Sequence, residues 1–195
     1  MIEIPPHIRG LVFDCDGTIA DTMPAHYQAW VQALGEYDIE FPEAMFYEMG
    51  GIPTPKIIEI LNERHGHSMP VMETAHLKEG LFEKLIPEVM PVEPVVNVIR
   101  AYDGKLPMAV ATGGMRHICH KTLATLGLLG KFQAIVTAED VQHGKPAPDV
   151  FIEAARRLGV EPALCMAFED ATLGVQSATA AGMIVLDVRT LPRTA

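Results

Sequence analysis

Apolar and polar positions divide this chain into stretches of two kinds. A short apolar run from Ile8 to Phe13 breaks off at Asp14, Asp16 and Gly17, which predicts a buried strand whose tip opens into a polar loop. Beyond it the period lengthens. Tyr27, Trp30, Val31 and Leu34 recur at three- and four-residue spacing, predicting an amphipathic helix over 24–34 that Gly35 can end. Further helices are expected over 42–49, 55–64 and 71–85, with prolines at their starts, where no backbone donor is wasted. After the proline-rich crossing from Ile86 to Pro91, strands and helices alternate. Helices are expected over 94–102, 116–126, 150–158 and 173–181, and strands over 106–111, 134–136, 163–168 and 184–188.

Such alternation predicts an α/β fold: a Rossmann-like parallel sheet with helices on both faces, because right-handed crossovers place them there. The segment 22–88 shows helical periods only. It is expected to be an all-helical unit inserted after the first strand, with 1–21 and 89–195 forming the sheet-bearing core.

Composition narrows the partners. At 195 residues, nearly half of them apolar, the chain can bury one substantial core plus a smaller insertion. A formal net charge of −10 argues against nucleic acid or an anionic membrane as a partner, so a phosphate site has to be built locally. Cys15, Cys119 and Cys165 are odd in number and lack metal spacing, which suits reduced core thiols in a cytoplasmic protein. The first ten residues show no signal-peptide pattern, and no segment reaches membrane-spanning length. A monomer or weak oligomer is expected.

Ligands of open parallel sheets bind beyond the carboxyl ends of the strands, so the residues following each expected strand are the candidates. They are Asp14 and Asp16, then Thr112-Gly113-Gly114, then Gly144-Lys145-Pro146, then Glu169-Asp170. Strand alternation leans Asp14 and Asp16 to one side and turns Cys15 away into the core. Two crowded carboxylates need a cation, while Gly17 permits a tight turn and Thr18 offers a hydroxyl. A nucleotide-binding sheet would carry a glycine-rich loop after the first strand. That position is acidic here.

The string from Asp14 to Thr22 resembles the first motif of the haloacid dehalogenase superfamily of phosphatases and phosphotransferases, Asp-x-Asp-Gly-Thr-x-x-Asp-Thr. Thr112, Lys145 and the pair Glu169-Asp170 match the hydroxyl, lysine and acids of its later motifs, in order. The resemblance implies that Asp14 is a nucleophile forming an aspartyl phosphate, and that Asp16, partly protonated near neutrality, is general acid and base. It implies Mg2+ on Asp14, the Asp16 backbone carbonyl and Asp170, with Glu169 bound directly or one layer out. Thr112, Gly113, Gly114 and Lys145 would hold the phosphoryl group.

The helical insertion falls where the superfamily places a substrate-selecting cap. Candidate substrate contacts are His26, Gly51, Thr54, Lys56 and Lys78, with Arg116 from the core side. His65-Gly66-His67 reads as a turn, for want of a third ligand. The mutases of this cap class present an arginine after a Gly-Val or Gly-Ile pair, whereas Gly51-Ile52 is followed by Pro53-Thr54-Pro55-Lys56. Met90-Pro91-Val92-Glu93-Pro94 stands where many mutases have Leu-Pro-Gly. Both departures resemble the small bacterial phosphatases of fructose 1-phosphate and 6-phosphogluconate. The expected function is hydrolysis of such a small phosphorylated metabolite. β-Phosphoglucomutase activity is the alternative. A degenerate binding module is the second alternative, and would have lost an acid or the lysine from the motifs, which this chain has not.

Overall fold

The computed structural model describes residues 2–192. Five strands form one parallel sheet: β1 (Gly10–Phe13), β4 (Met108–Ala111), β5 (Ala134–Val136), β6 (Cys165–Glu169) and β7 (Ile184–Asp187), in the order β5-β4-β1-β6-β7. β1 lies at the centre, with Phe13 in register with Val110 on one side and Phe168 on the other. Its residues are buried on both faces, which is why it reads as an apolar run and not as an alternation.

Helices α5 (Glu93–Tyr102) and α6 (Arg116–Thr125) cover one face, where Leu11, Phe13, Val96, Ile99 and Leu123 pack together. Helices α7 (Asp149–Leu158) and α8 (Thr172–Ala180) cover the other, where Val12, Phe151, Ala155 and Ala178 meet. Cys15 is fully buried in the first cluster, and all three cysteines are free and buried.

Between β1 and α5 run four helices: α1 (Met23–Gly35), α2 (Glu43–Glu48), α3 (Thr54–His65) and α4 (Val71–Leu85). They enclose a separate apolar cluster including Trp30, Phe41, Phe46, Ile58 and Leu61. Gly66, in the left-handed conformation at φ 68°, closes α3. The crossings into and out of this helical unit pair as a two-stranded antiparallel ribbon, β2 (Ala20–Asp21) with β3 (Met90–Pro91). The sequence reading does not contain this ribbon. It also starts the first strand at Ile8 and ends the fourth at Phe168, whereas the ladder begins at Gly10 and Glu169 is the last residue of β6, in register with Asp187.

Among the described residues, no helix is long and apolar enough to cross a membrane.

Candidate active site

The parallel sheet brings all its carboxyl ends to one edge, and the residues that follow β1, β4 and β6 converge there with the loop beyond β5. After β1 the chain winds into a tight turn in which the Cys15 carbonyl accepts from the amides of Ile19 and Ala20, and the Gly17 amide donates to the Ala20 carbonyl. Gly17 has φ 82°, and a Cβ on it would lie 2.2 Å from Asp170 Oδ2. Only glycine fits a turn this close to a carboxylate.

Lys145 is the hub. Its ammonium donates to Asp14 Oδ1 at 2.7 Å and to Glu169 Oε2 at 2.5 Å, all three side chains being nearly excluded from solvent. The loop carrying it, with a cis Lys145–Pro146 bond, is tied to α8 by Ser177 Oγ donating to the Ala147 carbonyl. Glu169 is fully engaged, because its Oε1 also accepts from the amides of Asp170 and Ala171. Thr18 Oγ1 donates to Asp170 Oδ1 at 2.8 Å. Asp14 Oδ2 receives no hydrogen bond from the described residues.

Ligand oxygens of Asp14, Glu169 and Asp170 fall within 4.8 Å of one another. Burial raises the Asp14 carboxyl well above its ordinary range, Glu169 adds to the rise, and Lys145 only partly opposes it. Burial, with Glu169 beside it, pushes Asp170 up to about 7. Burial disfavours the charge on Lys145, but Asp14 and Glu169 outweigh it and hold the ammonium protonated. Three acids against one lysine leave negative charge to be neutralised, and an all-oxygen donor set suits a hard divalent cation.

Asp16 stands apart from this cluster. Its Oδ1 is buried without a hydrogen bond, and a ring nitrogen, His26 Nε2, lies 3.5 Å away. A Cβ on Gly114 would lie 3.5 Å from Asp16 Oδ2 and 3.3 Å from Thr112 Oγ1, so the two glycine-loop residues adjoin it. Thr112 is buried at the end of β4, where its Oγ1 accepts from the Gly114 amide. Gly113 is exposed at the tip of that loop. Burial would raise the Asp16 carboxyl, but the His26 ring directed at it and the Lys78 charge beyond outweigh burial and lower it. The sequence reading expects a partly protonated Asp16. In the ligand-free protein its surroundings shift it the other way.

Of the insertion's candidates, His26 reaches Asp16, and Lys78 lies beyond it against the same ring. The His26 ring stacks on Phe82 with centroids 3.6 Å apart, and its Nδ1 lies 2.9 Å from Lys78 Nζ. An ammonium has no acceptor, so Nδ1 accepts and the neutral ring carries its proton on Nε2, facing Asp16. Burial, and then the Lys78 charge, lower His26 below its ordinary range and favour that neutral form. Lys78 also donates to Glu79 Oε1 at 3.0 Å, and Thr54 Oγ1 donates to the same oxygen at 2.7 Å. Glu79 is absent from the sequence reading. Gly51, at φ 84°, abuts the loop after β6, where a Cβ would lie 3.4 Å from that of Leu173. Lys56 and Arg116 are engaged elsewhere: Lys56 pairs with Glu59 on an exposed face of α3, and Arg116 with Asp140 at 2.6 Å.

A carboxylate tied to a lysine, a second carboxylate two residues on, and an acid pair suited to a cation, gathered at the carboxyl edge of a doubly wound sheet, make a candidate active site of an α/β enzyme. Comparison with known proteins agrees. The chain belongs to the family of haloacid dehalogenase-like hydrolases, whose family model matches residues 11–188, and it is an enzyme of that family. It is 42% identical over 183 residues to the fructose-1-phosphate phosphatase YqaB of Escherichia coli, covering 93% of this chain and 97% of the relative. It is 29% identical over 190 residues to the β-phosphoglucomutase of Bacillus subtilis, covering 93% of this chain and 83% of that one. Its fold resembles the crystal structure of β-phosphoglucomutase from Clostridium difficile, with TM-score 0.81 and 23% identity over 92% of this chain and 84% of the other.

Proposed function

We propose that this protein is a Mg2+-dependent phosphatase that hydrolyses a small sugar monophosphate, of the fructose 1-phosphate or 6-phosphogluconate type, through an aspartyl-phosphate intermediate. The reading rests on a division of roles between two aspartates two residues apart. Asp14 is tied to Lys145 through Oδ1 and keeps Oδ2 without a donor, as an attacking oxygen requires. Asp16 has a buried oxygen without a hydrogen bond and a histidine beside it, as a proton carrier requires.

In the first half-reaction Asp14 Oδ2 bonds to phosphorus while the phosphorus–oxygen bond to the sugar breaks. Asp16, protonated on substrate binding, donates its proton to the leaving oxygen. In the second, Asp16 takes a proton from water as that water attacks phosphorus and the Asp14–phosphorus bond breaks. The low carboxyl of Asp16 in the free enzyme suits the second role directly. The Thr112 hydroxyl, the amides at Gly113 and Gly114, and Lys145 orient the phosphoryl oxygens. Asp14, the Asp16 backbone carbonyl and Asp170 would hold Mg2+, with Glu169 fixing Lys145 and the turn at Asp170 and Ala171. When bound, the ion neutralises carboxylate and phosphate charge together. The helical insertion, 22–88, acts as the cap over the leaving group, and the core comprises 1–21 and 89–195.

The similarity to YqaB, the higher of the two identities, supports phosphatase over mutase. Phosphate release from a panel of sugar phosphates, with Mg2+ and with chelator, tests the reading. Mg2+-dependent release from fructose 1-phosphate or 6-phosphogluconate is expected. Conversion of β-glucose 1-phosphate to glucose 6-phosphate without net release would overturn it in favour of the mutase.

A further inference from the structure

We propose that Glu79 determines specificity: its carboxylate, aimed by Thr54, reads a hydroxyl of the leaving sugar and turns away substrates that carry a second phosphate. This rests on the sugar-phosphatase reading above.

Glu79 closes a continuous line of side chains from the catalytic edge into the helical insertion. From Asp16 Oδ1 the line passes His26 Nε2 at 3.5 Å, then Nδ1 to Lys78 Nζ at 2.9 Å, then Lys78 to Glu79 Oε1 at 3.0 Å. Thr54 Oγ1 supplies the second bond to Oε1, at 2.7 Å. Thr54 opens α3 three residues after Gly51, which abuts Ala171 and Leu173 beside the metal-site acids. Glu79 is thus bracketed by the two places where the insertion meets the catalytic edge, with His26 on one side and Gly51 on the other.

Both hydrogen bonds land on Oε1. Among the described residues nothing donates to Oε2, and the side chain keeps 17% exposure. A shielded carboxylate oxygen with open lone pairs takes a hydrogen bond from a neutral donor such as a sugar hydroxyl. It repels a phosphate dianion. The Lys78 ammonium on Oε1 offsets only part of this charge, because it is shared with His26 and is itself buried between Trp30 and Phe82, where it cannot reach a ligand. The other two cationic candidates, Lys56 of the insertion and Arg116 of the core, are paired with Glu59 and Asp140. On this reading the insertion presents to the leaving sugar an acceptor where a bisphosphate needs a cation.

The test compares kcat/KM for fructose 1-phosphate and fructose 1,6-bisphosphate in wild type, Glu79→Gln and Thr54→Val, with melting curves to verify folding. Gln keeps an acceptor for Lys78 and Thr54 but removes the charge. The ratio of bisphosphate to monophosphate is expected to rise on the order of tenfold in Glu79→Gln, through a lower KM for the bisphosphate and not a higher kcat. Thr54→Val, which leaves the Lys78–Glu79 pair in place, is expected to raise KM for fructose 1-phosphate several-fold, and it carries the test should Glu79→Gln fail to fold. A general loss of folded enzyme moves neither the ratio nor KM. Ratio and KM unchanged in both variants of an enzyme active on fructose 1-phosphate would overturn the role of Glu79 alone. Wild type that releases phosphate from p-nitrophenyl phosphate but from no sugar phosphate would overturn this role and the sugar-phosphatase reading together.

Discussion

Asp14 and Asp16 differ in what surrounds them more than in what they are. One is drawn into an acid cluster with a lysine, the other is left beside a neutral histidine. Asp14→Asn keeps the shape and hydrogen bonding of the site but removes the proposed nucleophile. It is expected to lower kcat by a thousandfold or more without lowering the melting temperature, since it also removes a buried charge that its surroundings disfavour. Turnover within tenfold of wild type would take the nucleophile role from Asp14. The acid cluster makes a second prediction, on pH. Asp170 is pushed up to about 7 from an ordinary value of 3.8, so between these values the folded, metal-free protein binds a proton that the unfolded chain has released. Stability then falls as pH rises through that window. In chelator the melting temperature is expected to drop between pH 5 and pH 8, on the order of several degrees. Adding Mg2+ at pH 8 should restore it, because an ion bound only by the folded state stabilises that state. A metal-free melting temperature that rises over this range would contradict the cluster's electrostatics.

The elements position these groups through close approaches that glycine alone permits. Gly174 lies in the first turn of α8, and a Cβ there would come within 1.8 Å of Glu169 Oε2. The helix backbone cannot retreat without breaking its own hydrogen bonds, so Gly174→Ala must displace Glu169 and with it the second anchor of Lys145. Activity is expected to fall about a hundredfold. Gly17→Ala, at φ 82° and facing Asp170, should instead weaken Mg2+ affinity tenfold or more and destabilise the fold by about 1–2 kcal/mol. Titration of activity with Mg2+ separates the two, since only the Gly17 variant should recover at high Mg2+. Both glycines stand beside legible motifs, Asp14-Cys15-Asp16-Gly17 and Glu169-Asp170, because strand tips leave a period and a polar break in the sequence. The β2–β3 ribbon leaves neither. Two residues show no alternation, and pairing Ala20 with Pro91 across the whole insertion is a long-range contact without local signature. Glu79 leaves no local signature for the same reason, since its partner Thr54 lies on another helix. Lys56 and Arg116 show the converse: a cation near a motif in sequence found a nearer acid in space.

In the whole molecule two apolar bodies, the sheet core and the helical insertion, meet at a small buried cluster of their own. Ile118 of α6 is buried against Ala29, Phe82 and Ile86 of the insertion and its exit, and Lys121, one turn on, pairs with Glu83 at 2.9 Å. The magnitudes decide which contact couples the bodies. An exposed ion pair is screened and costs side-chain entropy to hold, whereas truncating a buried isoleucine loses its transfer energy and leaves a cavity, about 2–5 kcal/mol. Because the insertion encloses its own cluster around Trp30, Phe46 and Leu61, weakening the bridge should uncouple the bodies and not merely lower both. Phe82 also backs His26 by stacking, so the same bridge carries the order of the insertion into the position of the ring facing Asp16. Ile118→Ala is therefore expected to split the calorimetric unfolding trace into two transitions and to reduce kcat although no catalytic group is touched. Lys121→Ala should leave one transition near its original temperature. A single transition in both variants, shifted equally, would mean that the two bodies are coupled through the β2–β3 ribbon and not through the apolar contact at Ile118.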